Sequence, residues 1–310
     1  MMKGLVLVTG AAGGRQGQTG RHVSEMLLAR GVPVRAFVHR LDERSEHLRR
    51  LGAELFLGDL LDIASVQRAV QGVASIYFAY PVQDGLLEAA AAMAVAAREA
   101  GVSRLVNLMM LRSSADAPTP RMRQNYLAEQ IFGWAGVGVA HINAAVFYEN
   151  IRALVAFSLG TDGPVALPLG KDTTVVPLVS AEDVARVAVG LLTRPSVPPG
   201  SAYRLIGSAP NVRDIIATFG QVDGRKIEYA PISDEEWRRQ ALARGFDPHA
   251  VEHLSQLWRF FRHSGLRPDS AGYQITDTIE TLGGAKPKSF EAFLREQQAR
   301  SPAQTSRASA

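Results

Sequence analysis

Between positions 10 and 20 the chain carries Gly10, Gly13, Gly14, Gly17 and Gly20, in the stretch "LVLVTGAAGGRQGQTGRHV" (5–23). Glycine lets a backbone turn tightly and lets its N–H groups approach an anion with no Cβ in the way. A helix N-terminus adds unpaired N–H groups and a partial positive charge. Strand-forming residues precede this loop and a helical run follows it, the order that a pyrophosphate cradle requires. The chemistry implied is dinucleotide binding, with Gly10, Gly13, Gly17, Thr19 and Gly20 at the turn. The loop holds more glycine than one tight turn needs, and Arg15 and Gln16 within it could reach a phosphate themselves.

A second residue cluster bears on which dinucleotide. A site that prefers NAD places Asp or Glu at the end of the second strand, to accept from the ribose 2′-OH. Here "VPVRAFVHR" ends on His39 and Arg40, with Arg35 earlier and no acid before Asp42. A carboxylate there would repel a 2′-phosphate, whereas a guanidinium holds it through charge-assisted hydrogen bonds. The expected cofactor is NADP(H) in preference to NAD(H).

The elements that must position these residues alternate regularly. "GLVLVTG", "VPVRAFVHR", "AELFLGD", "ASIYFAYP", "SRLVNLMML" and "VGVAHINAAVFYEN" read as strands. Between them "GRHVSEMLLARG", "ERSEHLRRLG", "DIASVQRAVQG", "GLLEAAAAMAVAAREAG" and "RQNYLAEQIFGWAG" read as helices. Buried-type strands alternating with helices imply right-handed βαβ units and a doubly wound parallel sheet. The expected fold is therefore α/β, a doubly wound parallel Rossmann sheet with a smaller mixed α/β C-terminal lobe. Residues 1–150 read as the dinucleotide-binding domain, rejoined by about 174–194, where a short strand leads into a helix capped by Ser180. Residues 151–298 read as the smaller substrate or lid lobe, taking in "SAYRLIG", and 299–310 as a disordered tail.

At 310 residues, with 46% hydrophobic and 21% charged residues, the chain has the composition of a globular domain with a sizeable core. It contains no cysteine, which removes disulfides and thiol nucleophiles. A formal charge of +4 falls short of the dense basic stripe of a nucleic-acid surface. No apolar run approaches the length of a membrane helix, and no signal region precedes the first strand, so cytoplasmic residence is the expectation.

With these motifs in hand, the sequence resembles the NmrA-like family of atypical short-chain dehydrogenases. "TGAAG" followed by "QTGRHV" is similar to that family's TGATGxxGR opening, with an insertion at about 14–17. The likeness continues through "VRAFVHR", "FLGDLLD", "AEQIF", "VFYEN", "VSAEDVA" and "ITDTIETLGGAKPKSFEAFL". It implies that Asp59 and Leu60 lie near the adenine, and that Ala79, Tyr80 and Pro81 pass the central phosphates and ribose.

Ordinary short-chain dehydrogenases use a Tyr-x-x-x-Lys pair, whose lysine lowers the phenol pKa. Here Tyr126 is followed four residues later by Gln130, and the "AEQIF" register sets Asn125 where lysine-bearing relatives have that lysine. The resemblance thus implies an oxidoreductase without the usual proton-transfer pair, passing hydride to a small, quinone-like acceptor; Tyr126 and Tyr148 are the weak catalytic candidates. Met109, Met110 and Leu111 at the fifth strand's end, and Phe147, Tyr148 and Asn150 at the sixth's, are the expected substrate pocket. The alternative is a non-catalytic redox sensor that binds NADP(H) and acts through a protein partner.

Other constellations imply less. "HAVEH" sets His249, Glu252 and His253 at an H-x-x-E-H spacing without an evident third ligand, so no metal is expected. Ser113 and Ser114 lack a tyrosine–lysine partner, and no Gly-x-Ser-x-Gly elbow occurs. The expected partner is a small molecule, with no direct nucleic-acid or membrane contact; a homodimer or a regulatory protein partner stays open.

Overall fold

The computed structural model describes residues 4–14, 18–159, 164–267, 269–270 and 272–300. The first half runs β1 (Leu5–Val8), α1 (Thr19–Ala29), β2 (Val34–Val38), α2 (Glu43–Arg50), β3 (Glu54–Leu57), α3 (Ile63–Ala69) and β4 (Val73–Phe78). It continues with α4 (Leu86–Glu99), β5 (Arg104–Met110), α5 (Pro120–Ala135) and β6 (Val139–Ala144). Then come β7 (Val146–Phe147), α6 (Tyr148–Leu159), β8 (Val165–Leu167), β9 (Leu178–Val179), α7 (Ala181–Thr193) and β10 (Ser201–Leu205). The chain closes with α8 (Val212–Asp223), β11 (Tyr229–Pro231), α9 (Asp234–Ala243), α10 (Pro248–His263), α11 (Thr278–Gly283) and α12 (Phe290–Arg300).

Seven parallel strands form one sheet in the order β10-β6-β5-β4-β1-β2-β3. The fold is the doubly wound α/β Rossmann arrangement, whose strand order reverses between β1 and β4, the switch point at which such sheets form their ligand crevice, outside the carboxyl ends of the strands. Alternation along each strand feeds two cores. Val6 and Val8 pack on the face covered by Val23 and Leu27 of α1 and Val184 and Val187 of α7. Leu7 points the other way, toward Val66 of α3, Met93 of α4 and Phe132 of α5. A third apolar cluster, built on Tyr148, Ile151, Ile216, Trp237, Trp258 and Phe290, fills the space between α6, α8, α9, α10 and α12.

The sequence reading needs three corrections here. The sixth strand does not run to Asn150: it stops at Ala144, and α6 begins at Tyr148. The buried set Tyr148, Ile151, Leu154 and Val155 has helical spacing, which outweighs the strand-like "VFY". "SAYRLIG" does not belong to the smaller lobe. Its strand β10 pairs with β6 from Ser201 opposite Ala140 to Leu205 opposite Ala144, extending the main sheet. Finally, α12 carries through Ala299 and Arg300, which the expected tail included; 301–310 lie outside the described residues. Among the described residues no helix is long and apolar enough to cross a membrane.

Candidate functional site

The glycine loop leaves β1 at Thr9, which is fully buried. Its hydroxyl donates to the carbonyl of Ala79 at 2.9 Å and accepts from the Ala79 amide at 2.8 Å. A single side chain thereby ties the ends of β1 and β4 across the switch point. Gly10 and Gly13 take φ of 62° and 68°, a left-handed backbone that favours glycine. A Cβ on Gly20 would lie 2.6 Å from the carbonyl oxygens of both Thr9 and Gly10. Only glycine lets the first turn of α1 approach the strand end so closely.

Among the described residues no side chain caps α1 at Gln18, and its first turn has no acid. Its leading N–H groups are not spent on the Gln18 side chain, and no carboxylate in the first turn offsets the helix dipole there. These features fit a pyrophosphate in a backbone cradle. Arg15, Gln16 and Gly17 lie outside the described residues.

At the end of β2, His39 and Arg40 are exposed. Asp42, the first acid, is the N-cap of α2, accepting from the Arg44 and Ser45 amides at 3.0 and 3.3 Å. The same carboxylate binds Arg44 Nη2 at 2.5 Å and Arg40 Nε at 3.2 Å. The Arg44 guanidinium holds the Asp42 carboxyl well down, to about 2. Arg44 also donates to the Gly13 carbonyl at 2.9 Å, linking this cluster to the glycine loop. Two guanidiniums thus share one committed carboxylate, a net positive rim beside the cradle. Sequence reasoning missed Arg44, although a cation two residues past a helix cap is a signal that could have been weighed.

Asp59 is exposed and caps its own turn, its Oδ1 accepting from the Leu61 amide at 2.9 Å, while Leu60 is half-buried. Ala79, Tyr80 and Pro81 follow β4 in the loop at the crevice. Arg121, on α5, donates to the carbonyls of Tyr80 and Pro81 at 2.9 and 2.7 Å. At the end of β5, Met109 is buried, whereas Met110 and Leu111 are partly exposed. Asn125 Oδ1 accepts from the Met110 amide at 3.0 Å, so the residue in the lysine's register fixes the strand end. Tyr126 lies beside it, half-buried on α5.

The structure does not bring Tyr148 to the crevice with these residues. Its ring is fully buried between Phe290 and Phe293, with centroids 5.0 and 5.6 Å away. Its hydroxyl meets Ser208 Oγ and the Lys288 carbonyl, each at 3.0 Å, and burial pushes its pKa up to about 12. Asn150 shares the first turns of α6, and Phe147 is half-buried in β7. Glu149, which sequence reasoning did not single out, accepts from the Ala181 amide with both oxygens, and burial raises its pKa to about 7.

The "HAVEH" residues diverge. His249 pairs with Asp84 at 2.9 Å, Glu252 with Arg238 at 2.5 Å, and buried His253 meets Thr119 Oγ1 at 3.0 Å. Ser113 and Ser114 are engaged locally, with the Met110 carbonyl and Asp116.

Set beside known proteins, this chain matches the model of the NmrA-like family over residues 2–294. The NAD(P)H azoreductase of Xenophilus azovorans is 24% identical over 292 residues, 94% of this chain and 97% of its own length. The NADPH-dependent quinone oxidoreductase of Escherichia coli, solved with NADPH, has a TM-score of 0.78 at 19% identity, covering 96% of this chain and 100% of its own. NmrA, a negative transcriptional regulator solved with NAD, also has a TM-score of 0.78, at 20% identity over 96% of this chain and 95% of its own. The strand–glycine–helix opening, the sheet order and a match that spans nearly every described element agree: the chain belongs to the NmrA-like family.

Proposed function

We propose that this protein is an NADP(H)-dependent oxidoreductase that passes hydride to a small, electron-poor organic acceptor of quinone-like character. The observation that carries the reading is the cradle with its cationic rim. Gly20 presses against the carbonyls of Thr9 and Gly10, and Arg44 bridges Asp42 to the Gly13 carbonyl. The backbone of the loop and the start of α1 would hold the pyrophosphate, and Arg40 and Arg44 the 2′-phosphate. When bound, the reduced nicotinamide supplies the hydride.

The chain's own part is to bind, orient and shield. Thr9 and Asn125 fix the ends of β4 and β5, so that Ala79 to Pro81 and Met110 to Leu111 form a rigid floor. Arg112, just past β5, lies over the Phe260 ring of α10 at 5.1 Å, a contact that would hold α10 near this edge and help exclude water. Four residues after Tyr126 stands Gln130 and not lysine, which suits an acceptor whose protons come from water or a weak acid. Residues 1–150 with 174–194 would form the coenzyme-binding unit, joined by β10, and the rest of 151–298 the acceptor cover. Relatives named for azo compounds and quinones support this acceptor class.

The test is NADPH oxidation followed across a panel of quinones, azo compounds, aldehydes and enones. Turnover confined to the quinones and azo compounds is expected. A flat trace throughout, with NADPH bound, would favour the second reading, a sensor that acts without turnover. That reading draws on Asn125, whose amide holds the Met110 backbone in the register of the usual lysine.

A further inference from the structure

Arg121 stands one helical turn before Asn125, at the inner face of α5, and is 2% exposed. Its Nη2 donates to the carbonyls of Tyr80 and Pro81, and its Nη1 to that of Gln83 at 3.2 Å. The guanidinium also lies 5.7 Å from the centre of the Tyr80 ring. Among the described residues its Nε has no hydrogen-bond partner. None of these contacts is a carboxylate, and the acid of the same loop, Asp84, points to solvent and pairs with His249. Burial lowers the pKa of Arg121 to about 10, which leaves it cationic at neutral pH. That charge is felt nearby: His253 is held neutral by burial first and by Arg121 second.

A buried charge normally has a counter-ion. Among the described residues carbonyl dipoles and the Tyr80 ring solvate it, with no carboxylate, so a net positive charge sits under the loop that follows β4. This loop borders the switch point, where a ligand of the sheet binds. In a medium of low dielectric the field of that charge extends past its immediate contacts. The oxidised coenzyme carries one more positive charge, on its nicotinamide, than the reduced one.

We propose that Arg121 is a positioning residue of the crevice that fixes the Tyr80–Gln83 backbone and, through its uncompensated charge, makes the site hold NADPH more tightly than NADP⁺. The inference rests on the NADP(H) reading above. A fixed cation with this bias keeps the reduced coenzyme in place for hydride delivery and lets the oxidised form go. It would equally let a sensor tell the two redox states apart, since a ligand pair bound with equal affinity shifts nothing.

The experiment is calorimetric titration of the full chain with NADPH and with NADP⁺, in wild type, Arg121→Lys and Arg121→Met. The ratio of the two dissociation constants is the readout, because a merely structural loss would weaken both forms alike. Wild type is expected to prefer NADPH by about five- to tenfold, the order of effect that one extra charge supplies in a medium of intermediate dielectric. Arg121→Lys should keep most of that preference and Arg121→Met should lose it. Should the methionine variant fail to fold, Arg121→Gln is read by the same ratio. A preference unchanged in the neutral variant, or absent in a wild type that binds both forms, overturns the assignment while leaving the cofactor reading intact. No heat from either coenzyme with wild type overturns that reading and this inference together.

Discussion

Both oxygens of the Glu149 carboxylate lie 3.3 Å from the Ala181 amide nitrogen, so the first turn of α7 is capped in part from another helix. Around this contact the family-like motifs converge. Asp183 accepts from the Lys288 amide and pairs with Arg186, and Arg186 donates to the carbonyls of Gly283, Ala285 and Lys286. Tyr148 reaches the Lys288 carbonyl. "YEN", "SAED" and "GGAKPKS" are thus one joint that fastens the C-terminal segment to α6 and α7.

That joint has a signed pH dependence. Unfolded, Glu149 titrates near the ordinary glutamate value of about 4.3. Folded, burial raises it to about 7. Between these values the native state holds a proton that the unfolded state has lost, so its contribution to stability falls as pH rises through the window. Glu149→Gln keeps an acceptor for the Ala181 amide and removes the charge. Urea unfolding should show the variant about 1–2 kcal/mol more stable than wild type at pH 8 and nearly equal to it at pH 5. A variant less stable at pH 8 would mean that the ionised carboxylate is the better cap.

Arg104 closes the other end of α7. It is nearly buried and donates to the carbonyls of Leu191, Leu192, Arg194 and Pro195 at 3.1, 3.2, 2.5 and 3.2 Å. Leu191 and Leu192 belong to the last turn, whose carbonyls a helix leaves without partners, and Arg194 and Pro195 follow it. Arg104→Met should cost about 2–4 kcal/mol in urea unfolding, and Arg104→Lys should recover less than half, because one ammonium cannot span the fork. A loss below about 0.5 kcal/mol would show that water serves these carbonyls as well.

Much of this architecture could be read from the chain because it is local. Strand alternation, glycine stops and the cap at Ser180 lie within a few residues of what they govern. The contacts that build the site are not local. Thr9 meets Ala79 across 70 residues, Arg121 meets Tyr80 across 41, and Asp183 meets Lys288 across 105. The acceptors of Arg121 and Arg104 are backbone carbonyls, which carry no residue identity, so neither arginine had a partner to be matched with in the sequence. Tyr148 reads as strand because "VFY" looks like strand in isolation, whereas it opens α6, and its ring packs on Phe290 and Phe293, more than 140 residues away.

Gly20 and Gly14 make a matched pair for the cradle. A Cβ at Gly20 collides with two carbonyl oxygens, whereas one at Gly14 meets nothing within 4 Å. Gly20→Ala must push α1 away from β1, and should cost about 2–4 kcal/mol of stability and weaken coenzyme binding at least about tenfold. Gly14→Ala should leave stability within about 0.5 kcal/mol of wild type. Comparable behaviour of the two variants in thermal unfolding and titration would remove the close helix approach as the basis of the cradle.

The rim cations separate cofactor choice from cofactor binding. Arg40 has its side chain 72% exposed and, among the described residues, pairs with Asp42, so replacing it disturbs little else. Arg40→Asp adds a carboxylate where a 2′-phosphate would sit. It should weaken NADPH by at least about tenfold while changing NADH by no more than about threefold. Arg44 does two jobs, holding both Asp42 and the Gly13 carbonyl. Arg44→Met should therefore weaken both coenzymes, NADPH the more. Equal losses of NADPH and NADH in Arg40→Asp would take Arg40 away from the 2′-phosphate, and an Arg44→Met variant that bound both normally would detach the rim from the glycine loop.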